Sequence, residues 1–238
     1  VKAFDFKMVG NWIDAADGLG VHGDGSLLQY TYLHIADDSL KVSAKGIQYE
    51  QTTVLQGDVN TGGMVNLGSY GTARNSTQGS VIDGVYAHRI THKSTNQADP
   101  PGYYGAALVA APTCTRGNNV EDTAVKNLRV NNLDRDISSV NRPFNIGLGS
   151  SFGLDCGDSK QRTTVTKLTF IDFAIYLDPE SDTTLFNRSA GSGDVSNINF
   201  FEGPVNTNPA GKVAIHNSRT DITFAYFICG SSPDKCWN

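Results

Sequence analysis

SLLQYTYLHI, residues 26–35, alternates apolar or β-branched side chains with polar ones. That period of two is what a half-buried strand imposes. The same rhythm returns along the chain. It appears in GIQYEQTTVL from Gly46, SVIDGVYAHRI from Ser80, VKNLRVNNL from Val125, VTKLTFIDFAI from Val165, VSNINFFEG from Val195 and TDITFAYFI from Thr220. Clusters of Gly, Asn, Asp and Ser separate these runs and read as turns. No longer segment shows the 3.6-residue period of a helix.

The intervals between runs decide the architecture. An immunoglobulin-like sandwich places strands about 8–12 residues apart. Here the intervals are wide and uneven, which suits a coil that turns several times before the next recognisable strand. The expectation is all-β: a right-handed, single-stranded parallel β-helix in which inward residues of one lap lie over those of the next. Residues 1–238 read as one such domain, part of a longer chain lacking its N-terminal region. Residues 94–124, with Pro100-Pro101 and Cys114, read as a long loop insertion. Asn-Leu and Asn-Ile steps in KNLRV and SNINF suggest stacked asparagines bonding one another and the backbone at bends. The alternative is an antiparallel jelly-roll sandwich.

Composition narrows the function. The net charge of −5 and the absence of any Lys/Arg cluster exclude a nucleic-acid footprint. No apolar run reaches the length of a membrane span. Cys114, Cys156, Cys229 and Cys236 form no CxxC pair, which argues against zinc. Four cysteines allow three pairings; the short Cys229–Cys236 separation favours a terminal loop, leaving Cys114 with Cys156. Sequons start at Asn75 and Asn187. With an even cysteine count they point to a secreted, extracellular and oxidising setting. No metal or cofactor is expected, because no ligand spacing supports one, Ca²⁺ included.

The chemistry lies next to the opening run, in HIADDSLKV, residues 34–42. Adjacent carboxylates at Asp37 and Asp38 repel each other unless a turn solvates them or a site divides their roles. Asp17, before Gly18, precedes Asp37 by about one lap. Stacking would bring the three carboxylates to one groove. Inverting glycosidases need an acid and a base carboxylate about 6.5–9.5 Å apart, and stacked strands about 4.8 Å apart give separations of that order. His34 and Lys41 flank the pair and could tune it or bind a sugar hydroxyl. The plain alternatives are a solvated Asp-Asp turn, a bend at Asp17-Gly18 and a core histidine at His34.

ADG at 16–18 followed by YLHIADDSLKV at 32–42 resembles the glycoside hydrolases that include dextranase and isopullulanase. The likeness continues through GIQYEQTTVL, MVNLGSYG (64–71), SVIDGVYAHRI and RPFNIGLG (142–149). Polygalacturonases share the Asp-Gly and Asp-Asp steps, but their Gly-His-Gly and Arg-Ile-Lys are missing here. The resemblance implies inverting endo-hydrolysis of an α-glucan or related polysaccharide. Asp37 would be the general acid, with Asp17 and Asp38 holding and activating water. It implies that His34, Lys41, His88, Arg89 and Tyr70 line the substrate groove. Where that family has tryptophans, this chain has Leu55 and Ser69. Two readings without turnover stand beside this one: a structural β-helix glycoprotein that self-assembles in an extracellular filament, surface hair or wall, and a carbohydrate-binding module.

Overall fold

The computed structural model describes residues 1–10, 17–35, 38–56, 64–68, 75–89, 109–112, 118–131, 144–148, 163–176, 183–184, 186–188, 192–201, 205–206, 213–214 and 222–225. These residues are all-β and contain no helix. Every strand pairing among them is parallel. An antiparallel jelly roll cannot supply that pattern, so the sandwich alternative fails.

Three main sheets run side by side. A ten-stranded sheet is built on nine-residue strands: Leu27–Ile35, Gln48–Gln56, Val81–Arg89, Thr123–Asn131 and Leu168–Tyr176. A six-stranded sheet has shorter members, among them Leu19–Val21, Leu40–Val42, Val65–Leu67 and Val109–Pro112. A four-stranded sheet holds Asn75–Ser76, Asn118–Val120, Thr163–Val165 and Ser192–Val195. The chain visits them in cyclic order. It passes from Gln48–Gln56 to Val65–Leu67, then Asn75–Ser76, and returns to the long sheet at Val81–Arg89. Each strand then pairs with its counterpart one lap later, an order compatible with a solenoid. The lap is 21 residues between Gln29 and Glu50 and 33 between Ile47 and Ser80.

The core lies between the sheets. Leu28, Tyr49, Ile82, Val125 and Phe170 occupy one register position in successive laps, and all are buried. Leu33, Val54, Ala87 and Val130 form a second buried stack. Each such aliphatic or aromatic side chain contributes on the order of 1.5–3 kcal/mol by leaving water.

The alternation of two is broken once in every long strand. Leu28 points inward, and so do Thr31, Leu33 and Ile35, a change of phase. The residue between has positive φ: Tyr30 at 54°, with Gln51, Gly84, Asn127 and Asp172 at the same place in later laps. A left-handed residue bends the strand and resets which side chains face in. A second left-handed corner, one or two residues before the strand pairing begins, holds Gly25, Gly46, Gly79, Asp122 and Asn197. The expected asparagine bond to backbone is met at Asn197, whereas the two asparagines of these steps do not stack on each other. Asn127 and Asn197 occupy different corners. The Asn127 amide donates to Asp83 at 2.5 Å, and that of Asn197 donates to the Thr166 carbonyl at 3.1 Å.

Residues 94–124, read above as a loop insertion, are described only at 109–112 and 118–124. Val109–Pro112 and Asn118–Val120 inside that stretch are strands, paired one lap back with Val65–Leu67 and Asn75–Ser76. Their brevity and the terminal proline hide them from a pattern that needs four or more alternating residues.

Candidate functional site

Asp17 and Asp38 are brought together by backbone pairing. Leu19, Gly20 and Val21 pair with Leu40, Lys41 and Val42. The ladder extends backwards: the Gly18 amide donates to the Asp38 carbonyl at 2.6 Å and the Leu19 amide to the Ser39 carbonyl at 3.0 Å. Glycine is required at 18, because a Cβ there would lie 2.1 Å from the Ser39 carbonyl oxygen. The Asp17-Gly18 step is therefore a close approach between laps.

Lys41 joins the two acids. Its Nζ lies 2.6 Å from Asp17 Oδ2 and 3.4 Å from Asp38 Oδ2. Both oxygens therefore lie within 6.0 Å of each other. That is shorter than the about 6.5–9.5 Å between the acid and base of an inverting pair. The spacing suits two carboxylates on one side of a reaction, the water-holding side. Their surroundings differ: the Asp17 side chain is 43% exposed, that of Asp38 3%. Solvent reaches Asp17, whereas Asp38 holds the ammonium from behind.

Burial alone would lower the Lys41 pKa, but the charge of Asp38, with hydrogen bonds and charge from Asp17, outweighs it and raises the pKa above 10.5. A raised ammonium pKa stabilises the fold fully below 10.5, and that contribution is lost as pH rises through the higher folded value. Behind the strand, the fully buried Tyr49 reaches across the core. Its hydroxyl lies 3.3 Å from the carbonyls of both Leu19 and Lys41. It ties the strands that bear Asp17 and Lys41 to the long sheet, and burial raises its phenol pKa. Asn66, one lap from Lys41 in register, is buried with neither amide atom hydrogen-bonded. Leaving such a group unpaired costs about 1–3 kcal/mol. Sequence reading gave Tyr49 and Asn66 no role, although GIQYEQTTVL and MVNLGSYG contain them, because burial and bonds between laps do not show in a single stretch.

The remaining expected residues distribute as follows. His34 and His88 lie on the long sheet, on the register row His34, Leu55, His88, while Lys41 belongs to the six-stranded sheet. Arg89 ends its strand opposite Gln56. Leu55, at a tryptophan position of the resembled family, is half-buried on that row. Asn75 pairs with Asn118, which is fully buried, and the Thr77 hydroxyl of the same sequon is buried 2.7 Å from that of Thr123. Asn187 pairs with Asn145. Asp37, Tyr70, Ser69 and the four cysteines lie outside the described residues. Among the described residues no group of three or more His, Cys, Asp or Glu side chains is arranged to hold a metal ion.

No family model, curated protein or solved structure matches the chain.

Proposed function

We propose that this chain is a right-handed parallel β-helix that acts as a secreted glycoside hydrolase on an α-glucan or related polysaccharide, with inversion. The observation that supports it is the Asp17–Lys41–Asp38 cluster, formed across one lap by the residues on which the resemblance rests. In this reading Asp37 donates the proton to the leaving oxygen. Asp17, the solvent-reached acid, activates water, and Asp38 and Lys41 position it. Lys41 also opposes the negative charge that the two acids concentrate there. The test is release of reducing ends from a panel of neutral and acidic polysaccharides. Release by the parent chain, and its loss by at least a hundredfold in Asp37→Asn, is the expected result. Unchanged release in Asp37→Asn would remove the mechanism.

A second reading is a structural β-helix of an extracellular filament, surface hair or wall. Two observations favour it: Asp38 is nearly inaccessible, and Phe4 and Val9 on the outermost described strands of the long sheet, Lys2–Phe4 and Lys7–Gly10, are exposed, as is Phe6 between them. Exposed strand edges with apolar side chains favour self-association. Fibres or oligomers on sedimentation, with no sugar release, would decide for it. Glycan affinity without release would instead indicate a binding module.

A further inference from the structure

The outer face of the long sheet carries an open groove of about 500 Å³. Its floor follows one register row, Tyr32, Thr53, Tyr86 and Arg129, in consecutive laps. Thr53 is the one small member of this row. Tyr86 is 48% exposed and Tyr32 half-buried, with the exposed Thr53 between them. Two laps separate the tyrosines, roughly 10 Å at about 4.8 Å per strand. Leu55 and His88, two residues further along their strands, complete the lining. The result is a slot over Thr53 walled by two phenol rings, with hydroxyl and imidazole groups at its rim.

The charge of the slot selects among ligands. Among the described residues that line it, Arg129 is the only permanently charged side chain. Its Nη2 lies 2.8 Å from Asp172 Oδ1 and its Nη1 donates to the Asp172 carbonyl at 2.6 Å. A guanidinium held this way is neutralised locally and has few donors left for an anion. Aromatic faces with a few fixed polar groups and no free charge suit a ring that is apolar on its faces and hydroxylated on its edge. Among the described lining residues a uronate or phosphate would find no counter-charge that is not already paired.

We propose that this groove is a binding site for a neutral glycan, with one sugar ring over Thr53 between Tyr32 and Tyr86 and the polymer running along the stacking direction. The site lies on the long sheet, whereas Lys41 and its acids belong to the six-stranded sheet, so it adds a second point of attachment. It rests on the polysaccharide reading above and narrows it to uncharged polymers.

The experiment measures binding of neutral α-glucan and polygalacturonate oligosaccharides by calorimetry, in an Asp37→Asn background so that ligand is not consumed. The substitutions are Tyr86→Ala, which removes a wall, and Thr53→Trp, which fills the slot. Both positions are exposed, and unchanged melting temperatures verify folding. Glucan binding that weakens at least tenfold in each variant, with no polygalacturonate binding, supports the proposal. Affinity equal to the parent in both variants overturns it. So does binding of polygalacturonate alone, binding of neither, or a dimer that Thr53→Trp dissociates, since the occupant would then be a second copy. Hydrolysis retained in Asp37→Asn would defeat the catalytic mechanism while leaving the groove result standing. Lost hydrolysis with unaltered groove affinities would do the reverse.

Discussion

The long sheet and the six-stranded sheet solve the same stacking problem by different means. In the long sheet, nine-residue strands pair lap over lap along most of their length, as Thr123–Asn131 does with both neighbours. Its buried stacks then hold register, because a one-residue slip would turn every inward side chain out. In the six-stranded sheet only three residues pair between Leu19–Val21 and Leu40–Val42. So short a ladder specifies register weakly. The deficit is met by particular side chains: glycine at 18, the Tyr49 tie, and Lys41 between Asp17 and Asp38. The candidate chemistry lies where the backbone contributes least and charged groups contribute most. Sites of function tend to violate the local rules that the rest of a fold obeys.

Three substitutions would break or sharpen this contrast. The largest effect is expected in the long sheet. Leu33→Ala opens a cavity in a fully buried stack and should cost about 2–5 kcal/mol in denaturant unfolding. A cost below about 1 kcal/mol would mean that the stacks do not carry the register.

Lys41→Met comes next. It leaves Asp38 buried beside Asp17 without a cation. The expected cost is about 2–3 kcal/mol at neutral pH, below the ~3–5 kcal/mol of a fully buried pair because Asp17 and Nζ keep some solvent. The parent chain should lose this contribution as pH rises through the elevated folded pKa of Lys41, above 10.5, and the variant should lack that component. Equal alkaline profiles would show that the ammonium does not bind the cluster.

Tyr49→Phe is the smallest and most selective. Loss of its hydroxyl should cost about 1 kcal/mol. Hydrogen exchange should quicken at amides of Leu19–Val21 and Leu40–Val42 while Gln48–Gln56 keeps its protection. Uniform quickening across both sheets would erase the distinction between them.

Much of the fold was legible because strand alternation is a local property. Each long strand overlaps a run marked by its alternation, and the intervals matched the laps. Legibility failed where the signal was too short or out of phase. VAAP at 109–112 is a strand only through its neighbours one lap away. The phase change at Tyr30 and Gln51 could not be read, because nothing in a Tyr or Gln predicts a positive φ. Lap pairing holds those residues in a conformation that is costly in isolation. The same limit applied at the site. Spacing placed Asp17 one lap from Asp38, but nothing in it showed that Lys41 would lie between the two acids.

By itself, then, the sequence determined that the chain is built of short strands separated by wide intervals, and that two acids one lap apart share a face. Both follow from periodicity, which each residue expresses through its immediate neighbours. Only the tertiary structure decided that Asp38 is covered while Asp17 meets water, that Lys41 spans them, and that Thr53 opens a slot between two tyrosines. Exposure and charge pairing depend on residues brought close from other laps. Their energies are set by the solvent excluded between laps, which no single stretch of chain specifies.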